Sequence, residues 1–492
     1  MPKLKNLLEG IRADTQISLE TEITGIAYDS RKVKPGNLFV VRQGVKDHGR
    51  NYLTQAKDNG AVAVVSEEKI IYPLPLILVA DVHLALAKLA ANFYQNPSKE
   101  LLLIGVTGTN GKTTITYLLE SILNSAGRKT GVIGTINYRL GKKIFAHGLT
   151  TPEAVDLQAI FSWMREEGAD SVIMEVSSHA LAQGRTAECY FDLGIFTNLT
   201  DEHLDFHQTM DNYFAAKSKL FTAISPEIKQ NLPKFAIINL DSQWGEKLIN
   251  LVKLPVLTYG IKKKSDFQAK EIKLEEKNSS FLLRTQDKEF PVRLPLVGKY
   301  NILNALAAIA CASAIGINRD LIIKNLAKIN SIPGRLEPVD RGQDYSIFVD
   351  YAHTADALEN VLFTLKEFAK RKIITVFGCG GDRDRSKRPL MGEVATRLSD
   401  FVIITSDNPR SEDPQQIALD IEVGIRRAGK ENYKVIIDRR QAIRDALTMA
   451  GSGDFILIAG KGHEDYQIFA DRTIHFDDKE IVNELLKELS RK

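Results

Sequence analysis

The stretch LLLIGVTGTNGKTTITYLLESILNSAG, residues 101–127, decides how this chain is read. It opens as an apolar run suited to a buried strand, turns through closely spaced glycines, and continues as an amphipathic helix that ends at Gly127. A strand, a glycine turn and a helix in that order aim backbone N–H groups and a helix N-terminus at an anion. The phosphate-loop pattern G-x-x-x-x-G-K-[ST] is met at its end by Gly111, Lys112 and Thr113, but its first glycine would fall on Val106. Gly108, Thr109, Asn110, Gly111, Lys112, Thr113 and Thr114 instead make a shorter loop behind Gly105. The physics survives the shortening. Lys112 brings charge to the outer phosphates, and Thr113 offers a hydroxyl to Mg²⁺. The bland alternative is a glycine turn with a surface lysine.

Working outward, short β-branched runs alternate with helix-like segments: SVIMEVSS (171–178), FAIINLD (235–241), IITVFGCGG (373–381), FVIITSDN (401–408) and FILIAGKGH (455–463). Near-continuous apolar strands imply sheets covered on both faces, hence an α/β architecture. Several end in Gly, Asp, Asn, Ser or His, where open α/β sheets bind ligands. A length of 492 residues suits about three domains. Proline and charge before the phosphate-loop strand, and prolines and glycines in INSIPGRLEPVDRG, divide the chain into 1–97, 98–332 and 333–492, the last of roughly Rossmann size. The polar segment 262–293 reads as an edge β-meander.

The 65 basic and 62 acidic residues leave a formal charge of +3, too near balance to suggest a nucleic-acid or membrane-surface protein. Cys189, Cys311 and Cys379 lie far apart, without zinc or redox spacing, which suits a reducing compartment. MPKLKNLLEGIRAD has no sustained apolar core, and LPLILVADVHLALAKLAANF is broken by Asp81, His83 and Lys88. The expectation is a cytoplasmic, monomeric protein that neither binds nucleic acid nor inserts stably in membranes.

Glu175 ends an apolar strand, where a carboxylate could ligate Mg²⁺ or simply pair with a base. His203 and His207 share a face if helical, without the H-E-x-x-H of a zinc pair. Lys217 and Lys219 sit in an amphipathic segment, and periodicity does not decide whether either points inward. In the C-terminal third, Asp350 and His353 follow a strand. The turn SDNPRSEDP displays Asp407 and Arg410, and AGKGHEDYQ carries Lys461, His463 and Glu464. GCGGDRD departs from the dinucleotide pattern G-x-G-x-x-G, which weakens an oxidoreductase reading. Four polar loops after consecutive strands make a binding face.

With the motifs DSR, GTNGKTT, TTP, EVSSH, NLTDEHLDFH, AAKSKLF, GKYNILNALAA, PGRLE, DYAHTADAL, GCGGDRD, DNPR and GKGHE in order along the whole chain, the sequence resembles the ATP-dependent Mur ligases of peptidoglycan synthesis. The resemblance implies an N-terminal UDP-substrate domain, a central P-loop-type ATP-binding α/β domain and a C-terminal Rossmann-like domain that binds an amino acid. It also implies an amide ligase that uses ATP and Mg²⁺. A carboxylate is phosphorylated, the acyl phosphate is attacked by an amine, and ADP and phosphate leave. YDSRKVKPGNLFV and DNPR point to the branch that adds meso-diaminopimelate to a UDP-muramoyl dipeptide; a sister enzyme using L-lysine, or a folylpolyglutamate-type ligase, is the alternative. A nucleotide-switched binding protein or motor would use the same loop without making an amide.

By the same resemblance, Lys112, Glu175, His203 and Lys217 are catalytic. Thr113, Glu175, His203 and Lys217 (as a carbamate) hold metal. Asn301 faces adenine, and Arg335 and Asp350 complete the ATP site. Ser30, Thr150, Thr151, Ser177, Gln183 and Arg185 fall on UDP-substrate positions. Arg383, Asp407, Asn408, Pro409, Arg410, Gly460 and Glu464 fall on acceptor positions. Diaminopimelate differs from lysine by a distal carboxylate, which an arginine grips bidentately. Lysine would leave that arginine unpaired in a closed site, at about 3–5 kcal/mol or roughly two to three decades of discrimination. Arg410 therefore carries the specificity expectation. Ala355 stands where the family usually has Pro, at a helix start where Pro is dispensable.

Overall fold

A computed structural model describes residues 1–42, 48–146, 148–224, 233–286, 288–429 and 431–490, apart from the Ala146 side chain. Among these, three large sheets follow one another along the chain. The first runs, in spatial order, Ala13–Thr15, Leu76–Val79, Ala63–Ser66, Asn37–Val40 and Gly25–Ala27, parallel except for its first edge strand. Helix Val82–Phe93, capped by Asp81, lies over one face and buries Val82, Leu86 and Leu89. The Asn96–Lys99 turn then leads to the second sheet.

That second sheet is built around the strand Leu102–Thr107, fully buried and parallel to Ser171–Glu175 on one side and Leu193–Phe196 on the other. Its parallel order continues through Phe235–Asn239 and Val256–Gly260. Beyond them, Phe267–Leu274, Ser279–Thr285 and Lys288–Leu294 form the antiparallel edge meander expected from the polar segment. The helix Lys112–Ser125 buries Ile115, Leu118, Leu119, Ile122 and Leu123, the stripe that its spacing predicted, against this sheet and the helix Lys299–Ala314. Each such buried side chain contributes about 2 kcal/mol. Gly127, at φ +87°, follows the helix end.

The third sheet runs Glu337–Pro338, Ser346–Asp350, Phe455–Ala459, Ile373–Phe377, Phe401–Ile404 and Tyr433–Val435, all parallel save the first. Separate apolar clusters cover its two faces, the doubly covered arrangement that continuous apolar strands require. Ala355 begins the helix Ala355–Lys366, and Thr354 caps it by accepting from the Ala357 N–H at 3.2 Å; the helix starts without the proline. The carboxyl ends of the second and third sheets open onto a common cleft. No helix among the described residues is long and apolar enough to cross a membrane.

Candidate functional site

The phosphate loop is held open by backbone geometry that only glycine adopts cheaply. Gly108 has φ +141°, and a Cβ there would lie 1.8 Å from Thr197 Oγ1; Gly111 has φ +93°, and a Cβ there would lie 2.4 Å from Asn304 Oδ1. The Thr197 hydroxyl donates to Asn110 O at 2.6 Å, and Asn198 Oδ1 accepts from the Asn110 N–H at 2.9 Å. The loop is thus clamped by the next strand end. Lys112 Nζ curls back to donate to Gly108 O at 3.0 Å and Thr109 O at 2.8 Å.

Lys217, in the helix Met210–Thr222, points inward rather than snorkelling. Its side chain is buried, and Nζ donates to the same Gly108 carbonyl at 2.9 Å. Burial lowers its pKa well below the ordinary value, and the neighbouring Lys112 charge lowers it further. Burial lowers Lys112 as well, against the pull of Glu175 and Glu202. Glu202 itself is held below the usual carboxylate range: burial pushes it up, but His203, His353, Lys112 and Lys217 outweigh that.

Glu175, at its strand end, accepts from the Thr135 N–H at 3.1 Å and the Thr135 hydroxyl at 2.9 Å. Its two oxygens are therefore fixed at the cavity wall. His203 has φ +58°, and its ring meets His179 edge-on at 4.7 Å. Burial depresses His207, stacked on Tyr213 at 5.0 Å, to about 4, and partial desolvation lowers His203, whose side chain is 41% exposed. Both are neutral near pH 7, the state in which an imidazole can ligate a metal.

From the third sheet, Arg335 Nη2 donates to Thr113 Oγ1 at 3.0 Å, and its guanidinium lies over the Tyr351 ring at 4.9 Å. Burial raises Asp350 to about 6, against Arg335 and the N–H groups of Leu336 and Ala352. Asp356 ties this sheet to the loop by accepting from Asn110 Nδ2 at 2.8 Å and Thr200 Oγ1 at 3.0 Å.

Lys112, Thr113, Glu175, Arg335, Asp350 and Asp356 border a cavity of about 840 Å³, which shares Thr135, Thr150, Glu202, His203 and His353 with a second cavity of about 1420 Å³. The second is walled by the loops that carry Arg383, Asp407, Asn408, Arg410, Gly460 and Glu464. Arg410, at φ +53°, donates through Nη1 to Gly381 O at 2.8 Å. Asn408 Nδ2 donates to Glu464 Oε2 at 2.7 Å. Burial, then the adjacent Asp407, raises Glu464. A chamber bordered by the phosphate loop thus meets one whose lining carries both charges, Arg383 and Arg410 beside Asp407 and Glu464.

Residues 22–94 match the Mur ligase family catalytic domain, 106–312 the Mur ligase middle domain, and 334–462 the Mur ligase glutamate ligase domain. The chain belongs to the Mur ligase family. It is 49% identical over 488 residues to the UDP-N-acetylmuramoyl-L-alanyl-D-glutamate–2,6-diaminopimelate ligase of Syntrophomonas wolfei subsp. wolfei, covering 99% of each chain. A solved ligase of the same name is 33% identical with TM-score 0.70, covering 99% of each chain. The MurF ligase of Thermotoga maritima in complex with ADP shares the fold, at 20% identity and TM-score 0.65, with 96% and 98% covered.

Within this Mur ligase, the structure brings most of the expected residues to the two cavities. Lys217 lies beneath the loop, against the Gly108 carbonyl, and lines neither cavity. Thr151 stands behind Glu175, donating to its backbone carbonyl at 2.9 Å and accepting from the Ser177 N–H at 2.9 Å. Gln183 and Arg185 pair at 2.7 Å, and Arg185 meets Glu153 at 3.1 Å, which also binds Arg42 of the first sheet's domain at 2.7 Å. Ser30 lies outside both cavities and donates to Gln55 at 2.6 Å. Asn301 does not border the cavity: it donates to Val297 O at 2.8 Å and accepts from Asn304 at 3.3 Å. Asn304, one turn on, is the one that faces it. The i, i+3 repeat of Asn in NILN was the available signal. Glu202 and Asp356 were missed because an acid in a loop or at a helix start has an ordinary capping or surface role.

The donors around the loop suit magnesium. No group of three or more His, Cys, Asp or Glu among the described residues could hold a metal by itself. A hydroxyl from Thr113 and a carboxylate from Glu175 are oxygen donors that leave positions for phosphate and water, the usual Mg²⁺ arrangement.

Proposed function

We propose that the protein is an ATP-dependent amide ligase that joins meso-2,6-diaminopimelate to UDP-N-acetylmuramoyl-L-alanyl-D-glutamate in peptidoglycan precursor synthesis. The observation that carries this is the meeting of a phosphate-loop cavity with one lined by Arg383, Arg410, Asp407 and Glu464, supported by the names of the full-length relatives. The working units are taken as 1–97 for the UDP substrate, 98–332 for ATP and 333–492 for the acceptor. The working unit is taken as a monomer. A UDP-linked precursor and ATP place the reaction in the cytoplasm.

In this reading the loop N–H groups, Lys112 and Arg335 hold the ATP phosphates, and Asn304 borders the base with Asn301 behind it. The D-glutamate γ-carboxylate oxygen bonds to the terminal phosphorus as the bond to ADP breaks. The acceptor amine, once deprotonated, bonds to the acyl carbon, and inorganic phosphate leaves. Two anions meeting must have their charge neutralised, and Lys112 supplies part of this at the cavity wall. Mg²⁺, when bound, neutralises phosphate charge; Thr113 and Glu175 would hold one ion, and His203 with a carbamylated Lys217 would hold a second. The lowered pKa of Lys217 favours the neutral amine that carbamylation needs. Ser30, Thr150, Thr151, Ser177, Gln183 and Arg185 are assigned to the UDP-muramoyl dipeptide. Asp407, Asn408, Gly460 and Glu464 hold the acceptor's ammonium end, while Arg383 and Arg410 hold its carboxylates, with Pro409 shaping the turn.

The test is phosphate release by the purified enzyme given ATP, Mg²⁺ and the UDP-dipeptide, with diaminopimelate or L-lysine as acceptor and the product weighed by mass spectrometry. Turnover with diaminopimelate alone supports the proposal. Turnover with lysine alone replaces it by the sister ligase, and ATP hydrolysis indifferent to both removes it.

A further inference from the structure

We propose, resting on the ligase reading above, that Arg388 is a positioning residue that holds Arg383 and Arg410 at one separation and so decides which diamine the acceptor cavity takes. Arg388 lies in the helix Lys387–Leu398 and its side chain is 0% exposed. Its Nη1 donates to Glu412 Oε2 and Asp420 Oδ2, both at 2.9 Å, and its Nη2 donates to Glu412 Oε1 at 2.8 Å and Gly380 O at 3.3 Å. One buried guanidinium therefore joins three segments: the glycine loop, the turn after Arg410 and the helix Pro414–Arg427.

The loop and the turn also lock directly. The Gly381 N–H donates to Asn408 O at 2.9 Å, the Asp382 N–H to Glu412 Oε1 at 2.6 Å, and the Ser411 hydroxyl to Asp382 Oδ1 at 2.6 Å. There is no slack between them. A Cβ on Gly381 would lie 1.9 Å from Pro409 O, and one on Gly380 would lie 2.9 Å from Arg410 Nη1. Arg383 leaves this loop one residue after Asp382, and Arg410 leaves the turn two residues before Glu412. Both reach the cavity, while Arg388 does not touch it.

Removing Arg388 leaves Glu412 and Asp420 without the buried cation between them and frees the Gly380 carbonyl. Arg385, 60% exposed and 3.2 Å from Asp420, is the nearest substitute. The two segments then keep only their direct bonds, one of which runs through the unpaired Glu412, and the spacing of the arginines loosens. Misplacing a binding group by about an ångström costs on the order of a hundredfold.

The experiment uses full-length Arg388→Met, Arg388→Lys and Glu412→Gln. It measures KM for ATP, UDP-dipeptide and diaminopimelate, kcat, the diaminopimelate-to-lysine ratio of kcat/KM, and the melting temperature. Arg388→Met is expected to raise KM for diaminopimelate by about 10–100-fold and to lower the acceptor ratio, while KM for ATP shifts by less than about twofold. Arg388→Lys should recover part of the loss. An unchanged diaminopimelate KM, or a parallel rise of all three KM values, overturns the proposal. If Arg388→Met does not fold, Glu412→Gln decides, with the same acceptor-selective rise expected. An inactive wild type removes the ligase reading and this proposal with it, whereas an active wild type with an unmoved acceptor KM removes only the role of Arg388.

Discussion

Replacing Arg410 by alanine tests the acceptor side of the site most directly. The substitution is clean for the backbone, because Arg410 sits at φ +53° and arginine and alanine bear the same left-handed cost there. The neighbouring Asn408–Glu464 bond does not involve the guanidinium and should persist. What disappears is a guanidinium edge whose orientation is set by the Gly381 and Asn408 carbonyls, at 2.8 and 3.4 Å from Nη1. A fully closed arginine–carboxylate pair would lose about 3–5 kcal/mol on truncation of one partner. Arg410 is half-buried and borders an open cavity, so solvent screens part of that. About 2–3 kcal/mol is then appropriate, a factor of roughly 30–150 in kcat/KM. Arg410→Ala should therefore lose that factor with diaminopimelate and little with L-lysine, which lacks the distal carboxylate. The assay is coupled ADP release over an acceptor titration for both amines. A variant that keeps the wild-type preference would refute the argument, because no other loss could be hidden by a common change in kcat.

Gly108→Ala should abolish nucleotide turnover while leaving a folded protein, since its Cβ would lie 1.8 Å from Thr197 Oγ1; circular dichroism and ATP titration check both halves. Glu175→Gln should raise the Mg²⁺ concentration for half-maximal activity by about tenfold, and chelation should stop turnover of the wild type. His207, almost wholly buried, is depressed from 6.5 to about 4, so the unfolded chain binds its proton first as pH falls. Its contribution to stability is intact above pH 6.5 and is lost as pH drops toward 4. Melting temperature against pH should fall through that window, less steeply in His207→Gln; an unchanged slope would contradict the burial argument.

Chemistry that is local in the chain could be read from the chain alone. The phosphate loop, its helix and the α/β alternation depend on glycine conformations and apolar spacing within a few residues. The edge meander followed from the polar character of its segment, and the loops that wall the second cavity from turn residues directly after strands. Lys217 was different: on an amphipathic helix its inward or outward aim is set by what packs there, and only the fold brings it to the Gly108 carbonyl at 2.9 Å. The same is true of Asn301 and Asn304, one turn apart, where helix rotation against the loop decides which one faces the cavity. Glu202, Asp356 and Arg388 gain their roles from partners distant in sequence, such as Asn110 for Asp356 and Asp420 for Arg388. The environment that shifts a pKa or orients a guanidinium is a property of packing between segments, and composition carries no record of it.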